Sequence, residues 1–313
     1  MIVLIKKRRV KATVAGRFAF DILSAQSEGK VHSVFERTFN ILFGTALVGV
    51  GRSDVVLSPM DLITDLSPAE KISELGIKKG MGVRVASSHM TIGDVLDIDL
   101  AGVMVWRPPN GIENPASPAQ IKKSLSALKE RARAWSGTEG LGQLLFYLEE
   151  ILHMKRPATA AINVVSRAAL PHIVDLVRAT RQENIEGVQA AAKGLIGLGP
   201  GLTPSADDLL IGYLSALHWI SKSFGKQAGL FREINKAIIS SVESTNLLSA
   251  QMLKLAAHGE VNEVLVKLYQ ALLSGELDFG DLISNSMNFG STSGVDTVVG
   301  IILGAAVALE VLA

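Results

Sequence analysis

Two stretches of the 313-residue chain concentrate the residue types that can handle a small anion. The first is Gly197-Leu-Gly-Pro-Gly-Leu-Thr-Pro-Ser-Ala-Asp-Asp208, which runs directly into Leu209-Leu-Ile-Gly-Tyr-Leu-Ser-Ala-Leu217. Glycines at 197, 199 and 201 permit positive φ and let the backbone approach a ligand with no Cβ in the way. Thr203 suits an N-cap and Pro204 a first helical position, so the loop is expected to discharge onto a helix N-terminus. Unpaired N–H groups and the positive end of the helix dipole favour anions there. No Gly-Lys-Ser/Thr follows, which excludes a Walker loop, and the βαβ setting of a dinucleotide fingerprint is missing. A well-terminated helix would use the same glycines, threonine and acids, so this stretch alone supports a cap as well as a site.

The second stretch is Ser293-Gly-Val-Asp-Thr-Val-Val-Gly300, which repeats the form of Ser205-Ala-Asp-Asp-Leu-Leu-Ile-Gly212. In both, aspartate stands three positions after serine and glycine four beyond that. Asn288-Phe-Gly-Ser-Thr precedes the second copy, again rich in glycine and hydroxyls. If the two helices lie side by side, two loops, two helix N-termini and Asp207, Asp208 and Asp296 converge. Such carboxylates among backbone donors could hold Mg²⁺, with a substrate anion completing its shell, or supply a general base. Two core helices with capping boxes would explain the same spacing without a ligand.

Other candidates carry less. Arg37 and Asn40 fall at three-residue spacing, on one face of a helix expected over 33–43, where the arginine could clamp a carboxylate or pair with a surface acid. His32 precedes that helix and suits a cap or proton transfer. His89, His153, His172, His218 and His258 show no metal-ligand spacing. The chain has no cysteine, which excludes disulfides, zinc thiolates, iron–sulfur clusters and thiol nucleophiles; it also has no Gly-x-Ser-x-Gly elbow. Nothing points to an organic cofactor.

The elements that must position these residues divide in two. Residues 1–110 read as a β-rich barrel or sandwich domain. Val10, Ala12 and Val14 alternate with polar residues, Phe18, Phe20 and Ile22 continue the period, and 46–50, 55–57, 83–86 and 103–106 are short apolar runs. Lys6, Lys7, Arg8, Arg9 and Lys11 read as a solvated strand edge. Residues 107–115 hold three prolines and a glycine and read as a linker. Ser117-Pro-Ala-Gln120 is a capping box with proline at the first helical position. It opens an all-helical domain, 116–313, with helices over 118–135, 139–154, 168–181, 184–194, 205–222, 227–240, 246–258, 261–274 and 295–312. The fold class is α+β.

Composition bounds the rest. The chain is 48% hydrophobic and 19% charged, with net charge +1. This excludes a disordered chain and supplies no field for nucleic acid. The apolar residues 1–5 precede the basic run, the reverse of a secretory signal. In 295–313, Asp296 and Glu310 leave 13 uncharged residues between them, short of the roughly 20 that span a bilayer. A buried C-terminal helix in a cytoplasmic protein, with no membrane partner, is the expectation.

The 197–212 motif resembles the signature of a bacterial family of poorly defined chemistry, often labelled a carboxylase family. It includes AllH, the small subunit of oxamate carbamoyltransferase from anaerobic allantoin and purine degradation. Ala206 departs from the family's usual glycine. Residues 290–297 are similar to its C-terminal motif, and 32–40, Thr245-Asn-Leu-Leu-Ser249 and Leu253, Ala256 and Gly259 resemble it more loosely. The resemblance implies a transferase, or part of one, acting on a small carbamoyl or carboxylate compound with partner subunits or as a homo-oligomer. On this expectation Asp208 and Asp296 bind a metal or move a proton and Arg37 holds the substrate carboxylate. Gly199, Gly201, Thr203, Ser205, Ser291, Thr292, Ser293, Gly294 and Asn40 line the substrate, and Asp207 joins the two aspartates if Mg²⁺ binds. Two alternatives stand beside it: a non-catalytic assembly or regulatory subunit, whose glycine loops are helix caps and whose apolar helices are interfaces, and a Mg²⁺-dependent phosphate-ester enzyme.

Overall fold

Alternating burial along β1 (Arg8–Gly16) turns Val10 and Ala12 inward and Arg9, Lys11 and Thr13 outward. The structure, a computed structural model, describes residues 7–109, 111–135, 137, 139–155, 162–288 and 290–312. It divides into two units, Met1–Pro108 and Pro109–Ala313.

In the first unit β1 is followed by α1 (Arg17–Ala25), β2 (Glu28–Val34), β3 (Thr38–Phe43), β4 (Ala46–Gly51), β5 (Asp61–Thr64), β6 (Gly82–Ala86), β7 (His89–Ile92), β8 (Leu96–Asp99) and β9 (Met104–Trp106). The sheet order is β5-β4-β3-β2-β6-β7-β8-β1-β9, and antiparallel pairing of β1 with β5 closes eight strands into a barrel. Closure removes the exposed edges an open sheet would present. Strand β1 is therefore not an edge. It pairs with β5 on one side and with β8 and then β9, both parallel, on the other.

Three local readings are corrected here. The helix expected over 33–43 is instead the hairpin β2–β3: Phe39, Ile41 and Phe43 alternate into the barrel core, and β3 pairs with both β2 and β4. The strand expected to continue through Phe18, Phe20 and Ile22 is helix α1. It buries Ala19 and Leu23, one helical turn apart. Residues 55–57 form no strand.

The second unit is helical. Ser117 makes the expected capping box at the start of α2 (Pro118–Arg133): its side chain accepts from the Gln120 N–H, and the Gln120 side chain accepts from the Ser117 N–H. After a 3₁₀ turn, Gly142–Tyr147, come α3 (Leu148–Leu152), α4 (Val164–Arg181), α5 (Ile185–Leu195), α6 (Ser205–Phe224), α7 (Ala228–Ile239), α8 (Leu247–Ala256), α9 (Glu263–Leu273), α10 (Gly280–Met287) and α11 (Ser293–Val311). The helix expected over 139–154 is thus a 3₁₀ turn plus a short α-helix, and α10 adds to the expected set.

Helices α6 and α11 are buried nearly all round, the pattern of central core helices. Among the described residues Ser293–Val311 is the one helix long and apolar enough to cross a membrane, and most of it is buried inside this unit. The two helices touch backbone to backbone. A Cβ at Gly212 would overlap the Thr297 carbonyl, one at Gly300 the Leu209 carbonyl, and one at Gly304 would lie 2.8 Å from the Tyr213 carbonyl. Partner numbers rise together along both chains, so the helices run in the same direction and their N-termini share one end.

Candidate functional site

At that shared end the 197–205 loop meets the 290–293 loop. Thr203 Oγ1 lies 3.1 Å from Ser293 Oγ, a hydrogen bond between stretches 90 positions apart. Neither helix carries a side-chain cap: the N-cap positions are Pro204 and Thr292, with Ser205 and Ser293 the first helical residues. Thr203 therefore does not cap α6, and Pro204 stands one place earlier than expected. Gly199 adopts φ of +126°, and a Cβ there would sit 2.6 Å from the Ser205 nitrogen. A side chain at 199 would push the loop off the helix start.

The three aspartates divide by environment. Asp207 is fully buried and saturated: Oδ1 accepts the Gly197 N–H at 2.8 Å, and Oδ2 accepts the Thr245 and Ser249 hydroxyls, each at 2.6 Å. It ties the glycine loop to the start of α8. Asp208 and Asp296 are as deeply buried, at 1% and 0% exposure, but each has one oxygen, Oδ2, with no hydrogen-bond partner among the described residues. Asp296 Oδ1 accepts the Leu141 N–H at 2.6 Å.

Burial raises the Asp208 carboxyl well above the usual aspartate range. The Ser293 and Thr203 hydroxyls oppose the rise, and the charges of Asp296 and Asp207 reinforce it. Burial likewise lifts Asp296 to about 6, against the pull of the Leu141 N–H and the Ser205 and Thr292 hydroxyls. Two neighbouring carboxyls, both raised by burial and each with an unengaged oxygen, suit proton transfer. They do not suit the three-carboxylate Mg²⁺ set. Asp207 is consumed by its own hydrogen bonds, and among the described residues no group of three His, Cys, Asp or Glu side chains could hold a metal ion.

A cleft of about 310 Å³ opens beside the second loop, lined by Trp135, Glu139, Asn288, Gly290, Ser291 and Thr292 among others. Ser291 is exposed on it, whereas Gly294 packs against the Ser286 carbonyl of α10. Gly201 lies open to solvent.

The family model for the oxamate carbamoyltransferase subunit AllH matches residues 195–305, spanning both loops and most of both helices. The model for the AllH family N-terminal domain matches residues 11–105, the barrel. The chain belongs to the AllH family. No curated protein and no solved structure matches it.

The remaining candidates lie on the AllH-type barrel. Arg37 sits in the β2–β3 turn, not on a helix, and its guanidinium binds Asp54 at 3.1 Å and the Asp54 carbonyl at 2.8 Å. Asn40, buried on β3, donates to Ser33 Oγ at 3.0 Å. His32 lies 3.2 Å from that same hydroxyl. Sequence reasoning missed the Leu141 N–H, which a backbone donor cannot signal through residue type. It also gave no role to Thr245 and Ser249, although both stood in a segment similar to the family.

Proposed function

We propose that this chain is a carbamoyltransferase subunit whose helical unit handles a small carbamoyl or carboxylate compound where α6 and α11 begin together. The observation that carries the reading is the pair Asp208 and Asp296, buried among loop hydroxyls with one unengaged oxygen apiece. The family description, a subunit of oxamate carbamoyltransferase, supplies the reaction class and the partner subunits.

In the transfer, the amide nitrogen of an oxamate-like acceptor forms a C–N bond to the carbamoyl carbon. The bond from that carbon to a phosphate oxygen breaks, and the nitrogen gives up a proton. The species between is tetrahedral and negatively charged. Backbone N–H groups of the 199–205 and 290–295 loops are the donors for that charge. One carboxyl of the pair takes the nitrogen's proton and the other, whose proton burial holds more tightly, supplies one to the departing oxygen. The scheme is written without a metal; Asp207, the third carboxylate of a Mg²⁺ set, is engaged by its own hydrogen bonds.

The assembly-subunit alternative drew on apolar helices as interfaces. The most apolar of them, α11, is spent inside the helical unit, which favours the catalytic reading. The test is the double variant Asp208→Asn with Asp296→Asn in the complex with its partner subunits. Turnover of oxamate and carbamoyl phosphate is abolished while helical circular dichroism is retained; unchanged turnover refutes the site. A thermal-shift series with oxamate, carbamoyl phosphate, phosphate and Mg²⁺ separates a binding site from a scaffold, because only a ligand held by the folded state raises the midpoint.

A further inference from the structure

Between the two stretches that match the AllH family lies a segment with its own connection to Asp296. The peptide unit joining Gly140 to Leu141 is gripped from both sides. Its N–H donates to Asp296 Oδ1 at 2.6 Å. Its carbonyl accepts two hydrogen bonds from the start of α4, one from Ser166 Oγ and one from Asn163 Nδ2, each at 2.9 Å. Asn163 is the N-cap of α4, its Oδ1 accepting the Ser166 N–H at 2.8 Å, and its own N–H donates to Gln143 Oε1 at 2.6 Å. Ser166 is fully buried.

This arrangement does two things to Asp296. Hydrogen bonds to a peptide carbonyl polarise the unit and make its N–H a stronger donor, so Asn163 and Ser166 act on the carboxylate through one shared peptide. The peptide also fits tightly: Gly140 holds φ of +56°, and a Cβ there would stand 2.6 and 2.7 Å from the two carboxylate oxygens. Only glycine lets the backbone come this close. The N–H engages Oδ1 and leaves Oδ2 without a partner among the described residues.

We infer that Asn163 and Ser166 are positioning residues for Asp296, fixing the Gly140–Leu141 peptide so that Oδ2 is the oxygen presented to substrate. The inference rests on the reading of Asp296 as a reacting carboxylate. Neither side chain touches substrate; both act through the peptide.

The experiment uses the full chain with its partner subunits, assayed with oxamate and carbamoyl phosphate. Asn163→Ser keeps a good N-cap but removes the amide donor. Ser166→Ala removes the hydroxyl donor. Each is expected to lower kcat about tenfold, the effect of losing roughly one neutral hydrogen bond in the transition state, with KM within about twofold. Helical circular dichroism stays unchanged for both. If Ser166→Ala does not fold, Asn163→Ser carries the test alone. Full kcat in Asn163→Ser, or a rise in KM without loss of kcat, overturns the positioning role while an inactive Asp296→Asn leaves the site intact. Full turnover in Asp296→Asn overturns both readings together.

Discussion

Replacing Asp296 by asparagine is expected to remove turnover and, at neutral pH, to stabilise the protein. The side chain is fully buried, with Oδ1 on the Leu141 N–H and Oδ2 unpartnered among the described residues. Burial holds its pKa at about 6 against an ordinary 3.8. A carboxyl raised in this way binds more protons folded than unfolded. Its contribution to stability is therefore present at low pH and lost as pH climbs from about 4 to about 6. A gap of about two pH units corresponds to about 3 kcal/mol, roughly half of it lost above pH 5. Asparagine keeps a carbonyl for the Leu141 N–H and never ionises. Urea denaturation of the two proteins side by side, from about pH 4.5 to about pH 8, should show an advantage for the variant that grows with pH and levels off above about 7. Because the Asp296 charge also raises Asp208, the curve belongs to the pair rather than to one group. A difference that does not change with pH, or a variant less stable than the parent at about pH 7.5, would refute the reasoning.

Three further substitutions differ in the size of their effect. Asp207→Ala leaves the Gly197 N–H and the Thr245 and Ser249 hydroxyls without their acceptor. A loss of about 3–5 kcal/mol in urea is expected, and a loss under about 1 kcal/mol would show that Asp207 does not hold the loop. Gly300→Ala drives a methyl into the Leu209 carbonyl of α6. It should cost at least about 1–3 kcal/mol and lower activity with it, and a neutral melting temperature would contradict the backbone contact. Arg37→Ala breaks an ion pair whose arginine is 54% exposed. It should change stability by less than about 1 kcal/mol in thermal denaturation.

How much of this was legible depends on the range of the interaction that decides each element. The capping box at Ser117 and the helix α11 are settled by residues within a few positions, and both read correctly. Residues 33–43 did not, because Phe35, Phe39, Leu42 and Phe43 satisfy a helical spacing while Phe39, Ile41 and Phe43 satisfy a strand. Pairing of β3 with both β2 and β4 decides between them, and no local window contains that information. In Arg17–Ala25 the alternation of Phe18, Phe20 and Ile22 hides the pair Ala19 and Leu23, which is what the barrel buries. The Gly280–Met287 helix is rich in serine and asparagine and offers little apolar periodicity. At the site, the repeated serine–aspartate–glycine spacing announced both loops. The role of Asp207 was hidden because its partners are two hydroxyls some 40 positions away and a backbone N–H.

The glycines of that repeat explain why two loops 88 positions apart in sequence share one end of the unit. A helix as apolar as α11 has no polar face to fix its rotation or its height against a neighbour. Gly212, Gly300 and Gly304 supply what is missing, since only at those positions can the two backbones touch, and the close approach sets both rotation and register. Sliding α11 by one turn, about 5.4 Å, would place larger side chains against the carbonyls of α6 and carry Ser293 out of reach of Thr203. The packing glycine four residues after each aspartate therefore fixes the height at which that aspartate enters the site. Serine, aspartate and glycine at that spacing form a single device: the glycine sets the contact, the contact sets the register, and the register brings the two first turns together.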